Sequence, residues 1–308
     1  MICLAQGNFV RKIPMKGFLA FENQSSRFDY SDLLLDAIDQ AIQEDVGSGD
    51  LTSLAIIPAS STATATLLAK ADCILGGIEA ARIIFNRIDA SLVFEPAFND
   101  GDSITKNTQL GTVSGASSSL LRAERLVLNV MQRMSGIASK TRRLVDQAQP
   151  FGVVILDTRK TTPNFRIFEK WAVAIGGGKN HRYALYDQIL IKDNHIKIAK
   201  GINQALDLVS NYLKKNKLDV PVIVEVQDES EFSIAIQYPM ITRILMDNFK
   251  PEEIFNLTQK YQFTQKLEAS GGINQENITS YLQSGIHYLS IGDLTHHVQS
   301  VDISLKIQ

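Results

Sequence analysis

The 308-residue chain carries 31 Lys and Arg against 33 Asp and Glu, a formal charge of −2, which excludes bulk nucleic-acid binding because that rests on neutralising many phosphates. Hydrophobic residues at 44% and charged residues at 21% exclude a disordered chain. Two cysteines, Cys3 and Cys73, are too few for a disulfide framework and point to the cytoplasm.

Residues 1–29 read as a tail. They lack the basic start and long apolar segment of a secretory signal, and an organelle presequence, an ordinary tail or a start at Met15 all fit them. No uncharged apolar run reaches the ~18 residues of a membrane span. The best stretch, residues 71–88, is broken by Asp72, Glu79, Arg82 and Arg87. Residues 31–45 predict a helix capped by Ser31, with Leu34, Leu35, Ile38 and Ile42 on one face. Residues 62–71 and 91–98 predict strands, with a helix over 77–88 between them. Residues 118–148 predict a long helix that Gly136 bends or interrupts.

From residue 151 the pattern becomes repetitive. Apolar runs close at Asp157, Lys192, Glu225, Asp247, Ser270 and Gly292, spaced 35, 33, 22, 23 and 22 positions apart. The last three intervals each hold one strand, a turn and a helix, and helices are predicted over 230–238, 251–261 and 274–284. Apolar strands alternating with helices mean parallel strands covered by helices. Six such strands favour a barrel over an open sheet, and the missing eighth unit makes it an incomplete one. The closing DISLKI, residues 302–307, reads as a strand returning to the first domain.

In a βα barrel the active site lies at the C-terminal strand ends. Those ends carry Asp157, Thr158, Arg159, Lys160; Lys192, Asp193, Asn194; Glu225; Asp247, Asn248; Ser270, Gly271, Gly272; and Ser290, Gly292. One charge at a strand end is commonly just solvated; six polar or glycine ends in succession on one rim indicate a pocket. Residues 157–197 hold eight cations, Arg159, Lys160, Arg166, Lys170, Lys179, Arg182, Lys192 and Lys197, against four anions, Asp157, Glu169, Asp187 and Asp193. His181 and His195 add optional charge. A small polyanion is the matching ligand. Ser270-Gly271-Gly272, followed by a helix near Asn274, forms an anion nest or a simple tight turn. Gly176-Gly177-Gly178 either lets the backbone approach a ligand or is a flexible linker. Glu225 and Asp247 bind sugar hydroxyls, hold Mg²⁺ or stabilise developing positive charge, or else merely pair with Lys192 and Arg182.

The block LDTRKTTPNFRIFEKWAVAIGGGKNHRYALYDQILIKDNHI, residues 156–196, closely resembles the quinolinate phosphoribosyltransferase family. EDVGSGDLTS (44–53), AERLVLNVMQRMSGIAS (123–139), VEVQ (224–227), LMDN (245–248), EASGGI (268–273) and YLSIGDLTH (288–296) extend the resemblance from about residue 30 to the end. It implies an α/β fold: an N-terminal α/β sandwich domain over residues 30–149, joined by the C-terminal strand within 293–308, and an open α/β barrel over 150–292. It implies a homodimer or higher homo-oligomer whose subunits share active sites, and a reaction that joins quinolinate to phosphoribosyl pyrophosphate with Mg²⁺.

By the same resemblance, quinolinate is held by Thr158, Arg159, His181, Arg182 and Lys192, with Arg125 from the neighbouring subunit. Phosphoribosyl pyrophosphate meets Lys160, Glu225, Asp247, Ser270, Gly271, Gly272, Ser290 and Gly292. Lys160, Glu225 and Asp247 are the catalytic residues, and Glu225 and Asp247 hold the metal directly or through water. Asn164 stands where the family commonly has Gly after TTP; Asn tolerates left-handed backbone. The competing readings are a ModD-type or nicotinate-type relative on the same scaffold, a barrel lyase using Lys192 or Lys160 as a Schiff base, and a non-catalytic binding protein.

Overall fold

The computed structural model describes residue 19 and residues 30–308; the expectations for residues 1–29, including a start at Met15, otherwise lie outside the described residues. Helix α1 (Ser31–Val46) buries Leu34 and Ile38. The predicted cap at Ser31 is not found: Ser31 is the first helical residue, and Tyr30 takes the cap position without a side-chain cap bond. Tyr30 is buried with its ring 4.6 Å from that of Tyr183, so aromatic packing fixes where this helix begins. Helix α2 (Leu51–Ile56) follows and was not anticipated. Asp50 Oδ1 accepts hydrogen bonds from the Thr52 and Ser53 amides at 3.0 and 3.2 Å, an N-cap that explains GDLTS locally.

Strands β1 (Thr62–Ala69) and β2 (Cys73–Ile74), helix α3 (Ile78–Ile88), and strands β3 (Val93–Pro96), β4 (Ser103–Ile104) and β5 (Gln109–Ala116) come next. An antiparallel sheet runs from Ile303–Ile307 through β1 and β5 to β3, with Leu305 opposite Leu67. Ala65, Leu67 and Ala69 are buried while their neighbours are only partly covered, the period-two pattern of a sheet with one core face. Helix α4 (Ser117–Ala148) packs beside that sheet and α3.

The expected break at Gly136 is absent: α4 is one continuous helix of 32 residues. Gly136 serves close approach instead, since a Cβ there would run into the backbone carbonyl of Gln299 on the returning C-terminal segment. Gln132, one turn earlier, ties down that segment by donating its side-chain amide to the Ile303 carbonyl at 2.8 Å.

The second half alternates strand and helix: β6 (Val154–Leu156), α5 (Arg166–Ile175), β7 (Ile189–Ile191), α6 (Asp193–Ile198), α7 (Ile202–Asn216), β8 (Val222–Val226), α8 (Glu229–Ala235), β9 (Ile241–Asp247), α9 (Pro251–Lys260), β10 (Lys266–Ser270), α10 (Ile278–Leu282), β11 (Tyr288–Ser290), α11 (Asp293–His296) and β12 (Ile303–Ile307). Six strands form one parallel sheet in the order β6-β11-β10-β9-β8-β7. First and last strands of the series are thus neighbours, as in a barrel. Leu156 makes one further parallel bridge to Lys179, and among the described residues no ladder joins Lys179 to β7, so the ring stays open there. All five residues of β8 are buried. Val222, Val224 and Val226 join the main core, whereas Ile223 forms a separate apolar cluster with Leu190 and Leu245. Alternate residues facing two separate cores are what a curved, closed-over sheet requires.

The helix predicted over 274–284 shrinks to α10. Asn274 accepts from the Glu276 amide at 2.9 Å and its own amide donates to Asn277 Oδ1 at 2.9 Å, so the asparagines fasten residues 274–277 into a turn.

Gly136→Ala opposes two effects. Helix propensity favours Ala by roughly 0.5–1 kcal/mol, while a methyl against a backbone carbonyl that cannot rotate away costs about 1–3 kcal/mol. The clash wins, and the urea midpoint falls; a midpoint that rises would show that the C-terminal segment does not press on α4.

Candidate active site

A cleft of about 700 Å³ opens at the C-terminal ends of the barrel strands. It is lined by Thr158, Arg159, Lys160, His181, Arg182 and Lys192, and by Glu225, Asp247, Ser270, Gly271, Gly272, Ser290 and Gly292. Every site residue anticipated within one chain therefore meets here. Arg125 does not: it is exposed on α4 and is no part of this lining.

Buried carboxylates hold the cationic side in place. Asp157 directly follows β6, is fully buried, and accepts from Lys170 Nζ at 2.5 Å, from Asn180 Nδ2 at 2.7 Å and from the His181 amide at 2.8 Å. Lys170, also fully buried on α5, donates as well to the His181 carbonyl at 3.0 Å. Burial pushes the Asp157 carboxyl up and the Lys170 ammonium down, and their mutual contact opposes both shifts. This clamp fixes the backbone of residues 180–182, which presents His181 and Arg182 to the cleft. Glu169 does the same for the loop after β6. Its side chain is fully buried, accepts from Arg133 at 2.8 Å and from the Thr162 amide and hydroxyl at 3.0 and 2.9 Å, and so joins α4 and α5 to residues 158–164.

The ligand-facing donors are left open. Among the described residues, Arg182 Nε is buried without a hydrogen-bond partner, while His181 Nε2 is buried with the Glu268 carboxylate 3.5 Å away. His181 Nδ1 accepts from the Arg182 amide at 2.7 Å, so a neutral ring carries its proton on Nε2. Burial, and then the neighbouring Arg159, push the Arg182 guanidinium down from its ordinary value, because a second cation close by disfavours charge. Arg159, Lys160 and Arg182 have no ion pair among the described residues, whereas Lys192 Nζ stands 2.6 Å from Glu225 Oε2. Asp247 does not pair with Arg182; its Oδ2 accepts from Asn248 Nδ2 at 2.9 Å. The cleft thus keeps three free cations against one free carboxylate, a balance that an anionic ligand completes.

The glycine end is a turn. Gly271 has φ 101° and a Cβ there would collide with the Asn248 side chain; Gly272 has φ 61°. With α10 starting only at Ile278, the helix expected near Asn274 is displaced, and residues 270–277 present turn amides alone. Gly292 makes room for the Lys160 stem: a Cβ would lie 2.9 Å from Lys160 Cδ. Thr295 Oγ1 secures the same residue by donating to the Lys160 carbonyl at 2.7 Å.

The family model of the quinolinate phosphoribosyl transferase C-terminal domain matches residues 137–306, and that of the N-terminal domain matches residues 50–135. The chain belongs to the quinolinate phosphoribosyltransferase family. It is 43% identical over 285 residues to quinolinate phosphoribosyltransferase [decarboxylating] 1b of Nicotiana tabacum, covering 88% of this chain and 81% of that one. It is 37% identical over 264 residues to the probable nicotinate-nucleotide pyrophosphorylase [carboxylating] of Bacillus subtilis, covering 86% and 90%. The structure of the nicotinate-nucleotide pyrophosphorylase from Francisella tularensis superposes with a TM-score of 0.84 at 31% identity, over 93% of this chain and all of that one.

One detail of this family member corrects the sequence reading and a second bears it out. Gly176-Gly177-Gly178 neither approaches a ligand nor forms a linker. A Cβ on Gly176 would meet the Ala138 carbonyl at 2.7 Å, and one on Gly178 would meet Thr141 Cγ2 at 2.9 Å, so these residues let the loop lie flat on α4. Asn164 adopts φ 62°, the left-handed turn that Gly would supply and Asn accepts.

Sequence reasoning missed Glu268, which lines the cleft fully buried in mid-β10. Its Oε2 accepts from Arg243 Nη1 at 2.9 Å, Ser290 Oγ donates to it, and Oε1 lies 3.5 Å from His181 Nε2. The signal was there: one acid inside the apolar run KLEAS, and one base opening RILMD.

Burial alone raises the Glu268 carboxyl, but His181, Arg243 and Ser290 outweigh it and bring it down to about 2. A folded-state value below the unfolded one stabilises the fold above the ordinary carboxylate range and is lost as pH falls through that range toward 2. Glu268→Gln therefore lowers stability at pH 7 by on the order of 3 kcal/mol. The gap narrows below about pH 4.5, read from urea midpoints of both proteins. A gap that widens toward pH 3.5 contradicts the assignment.

Proposed function

We propose that this chain transfers the phosphoribosyl group of phosphoribosyl pyrophosphate to the ring nitrogen of quinolinate, giving nicotinate mononucleotide, pyrophosphate and CO₂, a step of NAD biosynthesis. The observation that supports it best is the cluster of Arg159, Lys160 and Arg182, which have no ion pair among the described residues, Arg182 keeping a buried and unpartnered Nε. Quinolinate is a dianion, and such donors are left wanting by a monoanion such as nicotinate.

In this reading Thr158, Arg159, His181, Arg182 and Lys192 hold the two carboxylates. Lys160 faces the pyrophosphate, and the turn amides of 270–272 with Ser290 and Gly292 receive the 5′-phosphate. The ring-nitrogen lone pair attacks the anomeric carbon while pyrophosphate departs, and Glu225 and Asp247 favour the positive charge that builds on the ribose. The carboxylate next to the newly cationic nitrogen then leaves as CO₂: the ring accepts its bonding electrons, and a proton replaces it. Orientation and fixed charge supply most of the rate enhancement. A Schiff-base lyase is disfavoured. Lys192 is exposed and pairs with the Glu225 carboxylate at 2.6 Å, and Lys160 is exposed as well, so neither is the desolvated lysine that a Schiff base needs.

Glu225 and Asp247 also suit Mg²⁺. They are hard oxygen donors on neighbouring strands, both line the cleft, and Lys192 engages only Oε2 of Glu225. Mg²⁺ needs few protein carboxylates where phosphates supply further oxygens, and when bound it neutralises the departing pyrophosphate. Arg125, exposed and outside its own cleft, is assigned to a neighbouring subunit's site in a homodimer or larger homo-oligomer. Among the described residues no helix is long and apolar enough to cross a membrane. The cytoplasm is the proposed location, on the cysteine-poor composition.

The purified chain incubated with quinolinate, phosphoribosyl pyrophosphate and Mg²⁺ forms nicotinate mononucleotide by chromatography; no product, with nicotinate accepted instead, overturns the reading. Arg125→Ala and Lys160→Ala chains are each inactive alone, and after subunit exchange the mixture regains part of the activity. Exchange demonstrated by mass without any recovery refutes the shared site.

A further inference from the structure

One group of side chains at the cleft rim stands beside the residues named for the proposed reaction and is distinct from them. Asp293, His296 and His297 stand at positions i, i+3 and i+4 of the turn that carries α11, so they share one side of it. One carboxylate oxygen and one ring nitrogen from each histidine all lie within 4.8 Å of one another. Asp293 Oδ1 is 3.2 Å from His297 Nδ1, and the two imidazole centroids are 4.4 Å apart, edge to face. Lys140 of α4 fixes the group from behind. Its Nζ lies 2.6 Å from Asp293 Oδ2 and donates to the Asp293 and His297 carbonyls at 2.8 and 2.9 Å. Both ends of the turn are thereby held, and Asp293 keeps Oδ1 toward the histidines.

We propose that Asp293, His296 and His297 form a binding site for a borderline divalent transition ion of the Zn²⁺, Co²⁺ and Ni²⁺ class. Two imidazoles and one carboxylate are the donor set such ions take, with a remaining position open to water or another oxygen. Mg²⁺ avoids imidazole and prefers oxygen throughout, so this site differs in chemistry from Glu225 and Asp247. Lys140 acts as the outer partner that orients the ligating carboxylate. Its positive charge also weakens the site relative to a closed structural zinc centre. The place is specific: Asp293 and His296 line the cleft, and His296 Nε2 lies 3.2 Å from where a Cβ on Gly292 would stand, beside the Lys160 stem.

The test reads metal binding rather than turnover, so its result is separate from that of the proposed reaction. The untagged full chain is stripped with chelator and titrated calorimetrically with Co²⁺ in the presence of millimolar Mg²⁺, and the Co²⁺ visible absorption is recorded. One Co²⁺ per chain is expected, with an imidazole-type spectrum. His297→Gln and Asp293→Asn each weaken it by about tenfold or more. His195→Gln and Cys3→Ser leave it unchanged, and circular dichroism confirms that all four variants are folded. No Co²⁺ binding above Mg²⁺ competition, binding that survives His297→Gln, or binding lost in His195→Gln or Cys3→Ser overturns the proposal.

Discussion

A charge taken out of water must be met by an opposite charge or by hydrogen bonds, or it does not stay charged. This chain places acids where no solvent reaches them: Asp157 directly after β6, Glu169 on α5 and Glu268 inside β10. Each draws a base or an amide to a fixed place. Asp157 fixes Lys170 and the 180–182 backbone, Glu169 fixes Arg133 and the Thr162 loop, and Glu268 fixes Arg243 and faces His181. The cations nearest the cleft are thereby oriented before any ligand arrives. Orientation in advance is what makes fixed charges effective in binding and catalysis, because they need not reorganise when a substrate enters.

The scaffold serves the same end. The long α4 touches both halves of the chain: its middle accepts the returning C-terminal segment at Gly136, its Arg133 reaches Glu169 and the Thr295 carbonyl, and its Lys140 holds the turn after β11. Replacing any one of these contacts loosens a loop that carries cleft residues, although none of the three lines the cleft. The apolar cluster of Leu190, Ile223 and Leu245 sits inside the barrel, and its Leu190 and Leu245 line the cleft.

How much of this was legible in the amino-acid sequence follows from the same physics. The six barrel strands, their order of polar ends and thirteen cleft residues could be read because apolar runs with charged termini fit few folds besides a covered parallel sheet, and because the 156–196 block is distinctive. Arg125 could be assigned only by resemblance, since it is exposed on α4 and does not line the cleft of its own chain. Further features needed the third dimension. Gly136 in a helix reads as a break until the neighbouring carbonyl of Gln299 is seen; the three glycines of 176–178 read as a loop until α4 is seen beneath them. Asn274 reads as a helix start because side chains that cap helices also fasten turns, and only geometry separates the two. Glu268 was hidden by its own strand, where one acid among apolar residues carries no sign of its partners 25 positions earlier and 22 later.

The central claim is that the cleft is charge-matched to a dianion by cations held in place beforehand. Calorimetric titration of the unmodified chain with quinolinate and with nicotinate, at one pH and salt concentration, tests it directly. The account predicts that quinolinate binds at least about tenfold more tightly, a difference of roughly 1.4 kcal/mol for the second carboxylate. Equal affinities for the two would contradict it.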